Sequence, residues 1–184
     1  MFPLRTIVFM IGMAVAPGFA QADQNDPRLD ALFARLKVAP SLEQSLPAEQ
    51  KIWEIWLETP NEEAAKWLRA GLNHLSGGSQ DEALAAFNDV VMHAPDFAEG
   101  WNKRATLHFF MGNYAQSLSD IDKALELEPR HFGALSGKGL VYLKLNDLER
   151  ALSAFEEALD VYPHMPGARA NAELIRHIMK QREI

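Results

Sequence analysis

The stretch WNKRATLHFFMGNYAQSLSDIDKALELEP, residues 101 to 129, decides the fold because its pattern is written three times. Thirty-four residues upstream, WLRAGLNHLSGGSQDEALAAFNDVVMHAP fills 67 to 95; thirty-four downstream, LSGKGLVYLKLNDLERALSAFEEALDVYP fills 135 to 163. In this register Trp67, Trp101 and Leu135 superpose, as do Gly71, Ala105 and Gly139, and then His74, His108 and Tyr142. The match continues through Ala83, Ser117 and Ala151, through Phe87, Ile121 and Phe155, and through Val90, Ala124 and Ala158, to Pro95, Pro129 and Pro163. A small residue on a first helix lets a second helix approach, and the aromatic or Ile four residues after Ala or Ser fills the gap between them. Each unit therefore predicts a helical hairpin. Gly77-Gly78, Gly112 and Asn146 can take the left-handed conformation that ends a first helix. Ser79 with Glu82 and Asn113 with Gln116 have capping-box spacing, Asp147 caps without such a partner, and the repeating prolines stop each second helix.

The pattern resembles the tetratricopeptide repeat, W-x2-L-G-x2-Y followed by A-x3-F and a closing Pro. Leu135 departs from it in place of the aromatic, Arg104 and Lys138 in place of the Leu, and Ser117 in place of the Ala. The resemblance implies an all-α fold, a right-handed superhelical stack of three hairpins within 61–165, at about 64–97, 98–131 and 132–165. One such unit cannot bury its own apolar face, so the stack needs covers at both ends. Residues 23–60 read as an N-terminal helical extension. Asp26-Pro27 opens a helix bearing Leu29, Leu32, Phe33 and Leu36; Ala39-Pro40-Ser41 is a loop; a second helix near Pro47 to Glu58 carries Ile52, Trp53, Ile55, Trp56 and Leu57. Thr59-Pro60-Asn61-Glu62 reads as cap, first helical residue and box partner of the first repeat. Residues 166–184 read as a capping helix from Ala168 to about Lys180, with Ala172, Ile175 and Ile178 or Met179 inward. Nine helices and no strand are expected.

The N-terminus bears on compartment. Arg5 precedes an uncharged apolar run from Thr6 to Phe19, and Ala20-Gln21-Ala22 supplies a small-x-small cleavage signature. Residues 1–22 therefore read as an export signal cut before Asp23, too short to span a bilayer as a helix, which leaves no membrane span in the mature chain. The sequence has no cysteine, which closes the lipoprotein route and excludes disulfides and thiolate chemistry. The whole chain has 18 basic and 25 acidic residues; losing Arg5 with the signal leaves 17 against 25, or −8. Such a surface disfavours nucleic acid as a partner.

Catalytic constellations do not rise above background. His74 and His108 share one repeat position and read as packed aromatics, while His93, His131, His164 and His177 lack the i, i+4 spacing of a zinc site, so neither metal nor cofactor is expected. Gly133 to Gly139 superficially resembles a phosphate loop, but its glycines are one residue too close and Gly follows Lys138. No G-x-S-x-G surrounds any serine.

In the family the first helix of each unit lines a concave groove. By register, the first repeat would contribute Leu68, Arg69, Leu72 and Leu75. The second would contribute Asn102, Lys103, Thr106, Phe109 and Phe110, and the third Ser136, Leu140, Leu143 and Lys144. Asn102 is the best single contact for a peptide backbone. The basic clamp with which chaperone-binding relatives hold an acidic C-terminal tail is missing, since its positions hold Leu68, Leu72, Gly133 and Gly137. Alternatively, the groove receives the Ile52–Trp56 helix or the chain's own tail. The whole mature chain is similar to small periplasmic tetratricopeptide proteins of Gram-negative bacteria. That implies a non-enzymatic periplasmic scaffold holding a peptide or helix of an envelope partner, or else a chaperone-like holder of unfolded exported proteins. A homo-oligomer is compatible with either. On this reading Asn102→Ala with Phe109→Ala weakens capture without loss of stability.

Overall fold

A computed structural model describes residues 23–182, and the expected signal, 1–22, lies outside them. Among the described residues there are nine helices and no strand: α1 (Arg28–Val38), α2 (Leu42–Trp56), α3 (Glu62–Ser76), α4 (Gln80–His93), α5 (Ala98–Phe110), α6 (Tyr114–Leu127), α7 (Phe132–Lys144), α8 (Leu148–Val161) and α9 (Pro166–Arg182). The pairs α3/α4, α5/α6 and α7/α8 are the three hairpins, stacked in order, with α9 against α8 and α1/α2 as a fourth pair.

Each repeat hairpin turns on one left-handed residue, at φ 79° for Gly78, 77° for Gly112 and 57° for Asn146. Around it the same two backbone bonds close the first helix. Ser79, Asn113 and Asp147 donate N–H to the carbonyls of His74, His108 and Tyr142, while Gly78, Gly112 and Asn146 donate to Leu75, Phe109 and Leu143. This is the double-bonded Schellman ending, which satisfies carbonyls that a helix end would otherwise leave open. The residue that closes each first helix is also the cap position of the second. Only Asp147 accepts a cap bond, from Arg150 N; Ser79 and Asn113 make none, so the expected capping boxes do not form.

Small-against-large packing sits where the register puts it. A Cβ on Gly71 would lie 2.5 Å from the Phe87 ring, one on Gly139 2.7 Å from the Phe155 ring, and Ala105 packs with Ile121. The two departures at the Leu position have a purpose of their own. Arg104 reaches back sixteen residues to Asn88 at 3.0 Å, and Lys138 sixteen back to Asp122 at 2.9 Å, each joining its first helix to the preceding repeat. Arg104 also forks onto Asp120 at 2.7 and 2.8 Å.

Several local expectations are corrected. Helix α2 starts at Leu42 rather than near Pro47, capped by Ser41 Oγ accepting from Gln44 N; Pro47 is tolerated inside because the Glu43 carbonyl it leaves free is on an exposed turn. Asn61, not Thr59, caps α3, accepting from Ala64 N at 3.0 Å. Pro166 is already helical in α9. His74 is exposed, whereas His108 is half-buried, its Nδ1 unpartnered, and burial holds its pKa below the ordinary histidine value against the pull of Asp120.

The N-terminal pair is not the expected cover on the first repeat: its core is shared with Phe132 and Tyr162 of the third repeat, and it runs along the edge where the repeats join. Gln24 donates to Asp96 O and accepts from Ala98 N at the first junction. Asp30 accepts from Arg130 at 2.6 Å at the second. At the third, Tyr162 donates to Glu49 at 2.9 Å and His164 donates to Ala39 O at 2.8 Å. Leu29, Phe33, Leu36, Ala48, Ile52, Ile55 and Trp56 share one core with Phe132 and Tyr162 of the stack.

Candidate functional site: the groove between the second and third repeats

The site begins with a residue the repeat pattern does not mark. Glu99, in the first turn of α5, is fully buried, where a lone carboxylate would not remain charged. Burial pushes its pKa up, but the hydrogen bond from His131 and the charge of Lys103 outweigh burial, so it lies below the ordinary glutamate value. Its Oε2 accepts from Asn102 Nδ2 at 2.7 Å and from His131 Nε2 at 2.9 Å, and its Oε1 sits 2.8 Å from Lys103 Nζ. His131 Nδ1 accepts from Ala134 N at 3.1 Å, capping α7. With Nδ1 accepting, Nε2 is the ring nitrogen that donates to Glu99. Trp56 stacks on this imidazole at 4.0 Å and 9°. Trp53 stands edge-on to it and lies under Lys103 Nζ at 5.5 Å. Gly133 makes room for Trp53, since a Cβ there would sit 2.6 Å from the indole. Second repeat, third repeat and N-terminal pair thus meet at one buried carboxylate.

Beside this cluster α5, α6 and α7 enclose an open cavity of about 240 Å³. It gathers Asn102, Thr106, Phe109, Phe110, Ser136 and Leu140 from the sequence-derived lining, and adds Ala105, Ser117, Ile121, Gly133, Gly137 and Met165. The other expected contacts lie elsewhere. Leu68 is 3% exposed in the first-repeat core, where Leu72 and Leu75 also pack, and Arg69 is exposed on α3. Lys103 is turned to Glu99, Leu143 packs with the third-repeat core, and Lys144 is exposed at the end of α7. The Ile52–Trp56 helix seals the junction edge and leaves the cavity open. Phe109 is half-buried against Tyr114, while Phe110, one residue and about 100° further round the helix, is 63% exposed. Asn102 also supports the buried Glu99, so Asn102→Ala removes a donor from a buried charge and is not neutral for stability. Among the described residues no group of three His, Asp or Glu side chains is placed to hold a metal, and no helix is long and apolar enough to cross a membrane.

Comparison with known proteins bears on the family and the fold. A tetratricopeptide repeat family model matches residues 102–166. A TPR repeat-containing protein of Rhizobium etli is 35% identical over 136 residues, covering 74% of this chain and 67% of its own. This chain belongs to the tetratricopeptide repeat family. Subunit 7 of the anaphase-promoting complex of Dictyostelium discoideum is 34% identical over 97 residues, but there the match takes up 53% of this chain and 16% of the relative. Among solved structures, the first TPR of Spaghetti (RPAP3) bound to the HSP90 peptide SRMEEVD superposes with a TM-score of 0.63 at 22% identity. It covers 65% of this tetratricopeptide protein and 95% of that one, and shows the shared fold. Tetratricopeptide domains mediate protein–protein contacts, and the all-α stack of hairpins here is of that kind.

Proposed function

We propose that the chain is an exported, non-enzymatic scaffold of the periplasm that holds a peptide or helix of an envelope partner in the groove between α5 and α7. The observation that carries this reading is the open apolar cavity whose wall ends in the exposed Phe110, on the helices that line the groove in this family. Export rests on the leader pattern of residues 1–22. The solved neighbour's peptide SRMEEVD is acidic, and here the cavity wall carries no Lys or Arg, so a different ligand is favoured. The mostly apolar wall also favours a second reading, a holder of unfolded exported proteins.

A photo-crosslinking residue at Phe110, with a control at Met92, which is exposed on the second helix of the first repeat, tests the groove in intact envelopes. The expected result is one discrete adduct from Phe110 and none from Met92. A smear of adducts at Phe110 selects the holder. Adducts from Met92 alone, or residence of the protein in the cytoplasm, contradict the proposal.

A further inference from the structure

Two residues that line the apolar cavity carry a side-chain oxygen without a protein hydrogen-bond partner among the described residues. Asn102 is 6% exposed and spends its Nδ2 on Glu99, which leaves its Oδ1 uncommitted; Ser136, 8% exposed on the facing helix, makes no side-chain hydrogen bond. Thr106 contributes no third free donor, because its hydroxyl donates to Asn102 O at 2.8 Å. Both oxygens are reachable from solvent, and they belong to residues on opposite helices of the same cavity, one an acceptor and one a hydroxyl, free to bond to a ligand. That pairing matches the two sides of a peptide unit, which offers one N–H and one C=O.

Size and charge restrict the occupant further. An apolar protein cavity of about 150 Å³ accepts a benzene ring. The cavity of about 240 Å³ therefore holds one large side group together with part of its backbone. Its floor and walls, Ala105, Phe109, Phe110, Ile121, Leu140 and Met165, are apolar. No charged residue lines it, and the nearby ammonium groups are engaged, Lys103 by Glu99 at 2.8 Å and Lys138 by Asp122 at 2.9 Å. A carboxylate entering this space would lose its hydration with no cation to replace it.

Resting on the reading of this groove as the partner site, we infer that it captures an uncharged internal peptide segment through a single aromatic or large aliphatic anchor residue. A backbone N–H of the ligand donates to Asn102 Oδ1, and a backbone C=O of the ligand accepts from Ser136 Oγ. Specificity is thus for a residue within a polypeptide, not for a C-terminus.

The test uses the purified protein and fluorescently labelled nonapeptides of Ser and Gly, acetylated and amidated, with Phe, Ala or Glu at the centre, alongside SRMEEVD. Anisotropy titration is expected to show the Phe peptide binding at least tenfold tighter than the Ala peptide, with the Glu peptide and SRMEEVD weaker still. Converting the amide of the Phe peptide to a free acid is expected to leave its affinity within twofold. Phe110→Ala, at an exposed position, and Ser136→Ala, which gives up no internal hydrogen bond, are each expected to weaken the Phe peptide by fivefold or more while the thermal melt stays in place. Equal binding of Ala and Phe peptides, or preference for SRMEEVD, overturns the inference. Peptide binding that is absent while the Phe110 crosslink persists overturns the anchor and leaves the scaffold. Anchor-selective binding without any crosslink in envelopes leaves the anchor and overturns the scaffold.

Discussion

Trp56→Ala is expected to lower the stability of the protein by about 3–5 kcal/mol, the cost of emptying a fully buried aromatic site. Trp56 is 1% exposed and touches four rings: His131 stacked at 4.0 Å, Phe132 at 5.0 Å, Trp53 at 5.3 Å and Phe33 at 5.8 Å. Its indole Nε1 has no hydrogen-bond partner, so the loss is one of packing alone. For a protein of this size the corresponding fall in Tm is about 6–20 °C. The vacated face exposes His131 and, behind it, the ionised Glu99, so water reaches a charge cluster that now stays dry. Thermal melting followed by circular dichroism measures the effect, and a shift under about 2 °C would mean that the N-terminal pair is not held by this contact.

Gly139→Leu is expected to cost at least about 1–3 kcal/mol through overpacking, although leaving glycine inside a helix normally gains stability. The Cβ alone would meet Phe155 at 2.7 and 2.8 Å, and Phe155, fully buried on α8, packs in the core shared with α9. Gly137, two residues away on the same helix, provides the contrast. Its Cβ would sit 3.7 Å from Ile121, an ordinary contact, so Gly137→Ala is expected to gain about 0.5–1 kcal/mol from helix propensity. Chemical denaturation of both variants reads the opposite signs directly. Matching signs would mean that the closeness of α7 and α8 is not set at Gly139.

These two substitutions also mark what was legible in the sequence. The close approach at Gly71, Ala105 and Gly139 was visible because it depends on side-chain size at a fixed interval, and an interval survives without knowing the tertiary fold. The left-handed turns were visible for the same reason, as Gly78, Gly112 and Asn146 answer a local backbone need. Caps were less so: Ser79 and Asn113 stand at the cap position but their side chains accept no N–H, whereas Asp147, held by the equivalent backbone bond, does. Pro47 misplaced the start of α2, since a proline reads as a first helical residue unless the cap in loop-like Ala39-Pro40-Ser41 is weighed against it.

The junction edge was not legible. Glu99 and His131 stand 32 residues apart, just short of the repeat interval, so the 34-residue register does not pair them. Trp56 and Trp53 of the N-terminal pair then pack against His131. One signal was available: His131 directly precedes a first helix, where its ring could cap. Of the expected groove residues, six from the second and third repeats line the cavity, while Leu68, Leu72 and Leu75 pack in the first repeat's own core, Leu143 packs in the third's, Lys103 turns to Glu99, and Arg69 and Lys144 are exposed.

The measurement closest to the central claim is a backbone-amide NMR titration of the protein with the amidated Phe nonapeptide. Shifts confined to the groove faces of α5 and α7, at Asn102, Thr106, Phe110, Ser136 and Leu140 and at neighbouring Gly133, are the result expected of an open groove between the second and third repeats. Shifts concentrated on α4 and α8, or on the N-terminal pair with the groove unmoved, would contradict it.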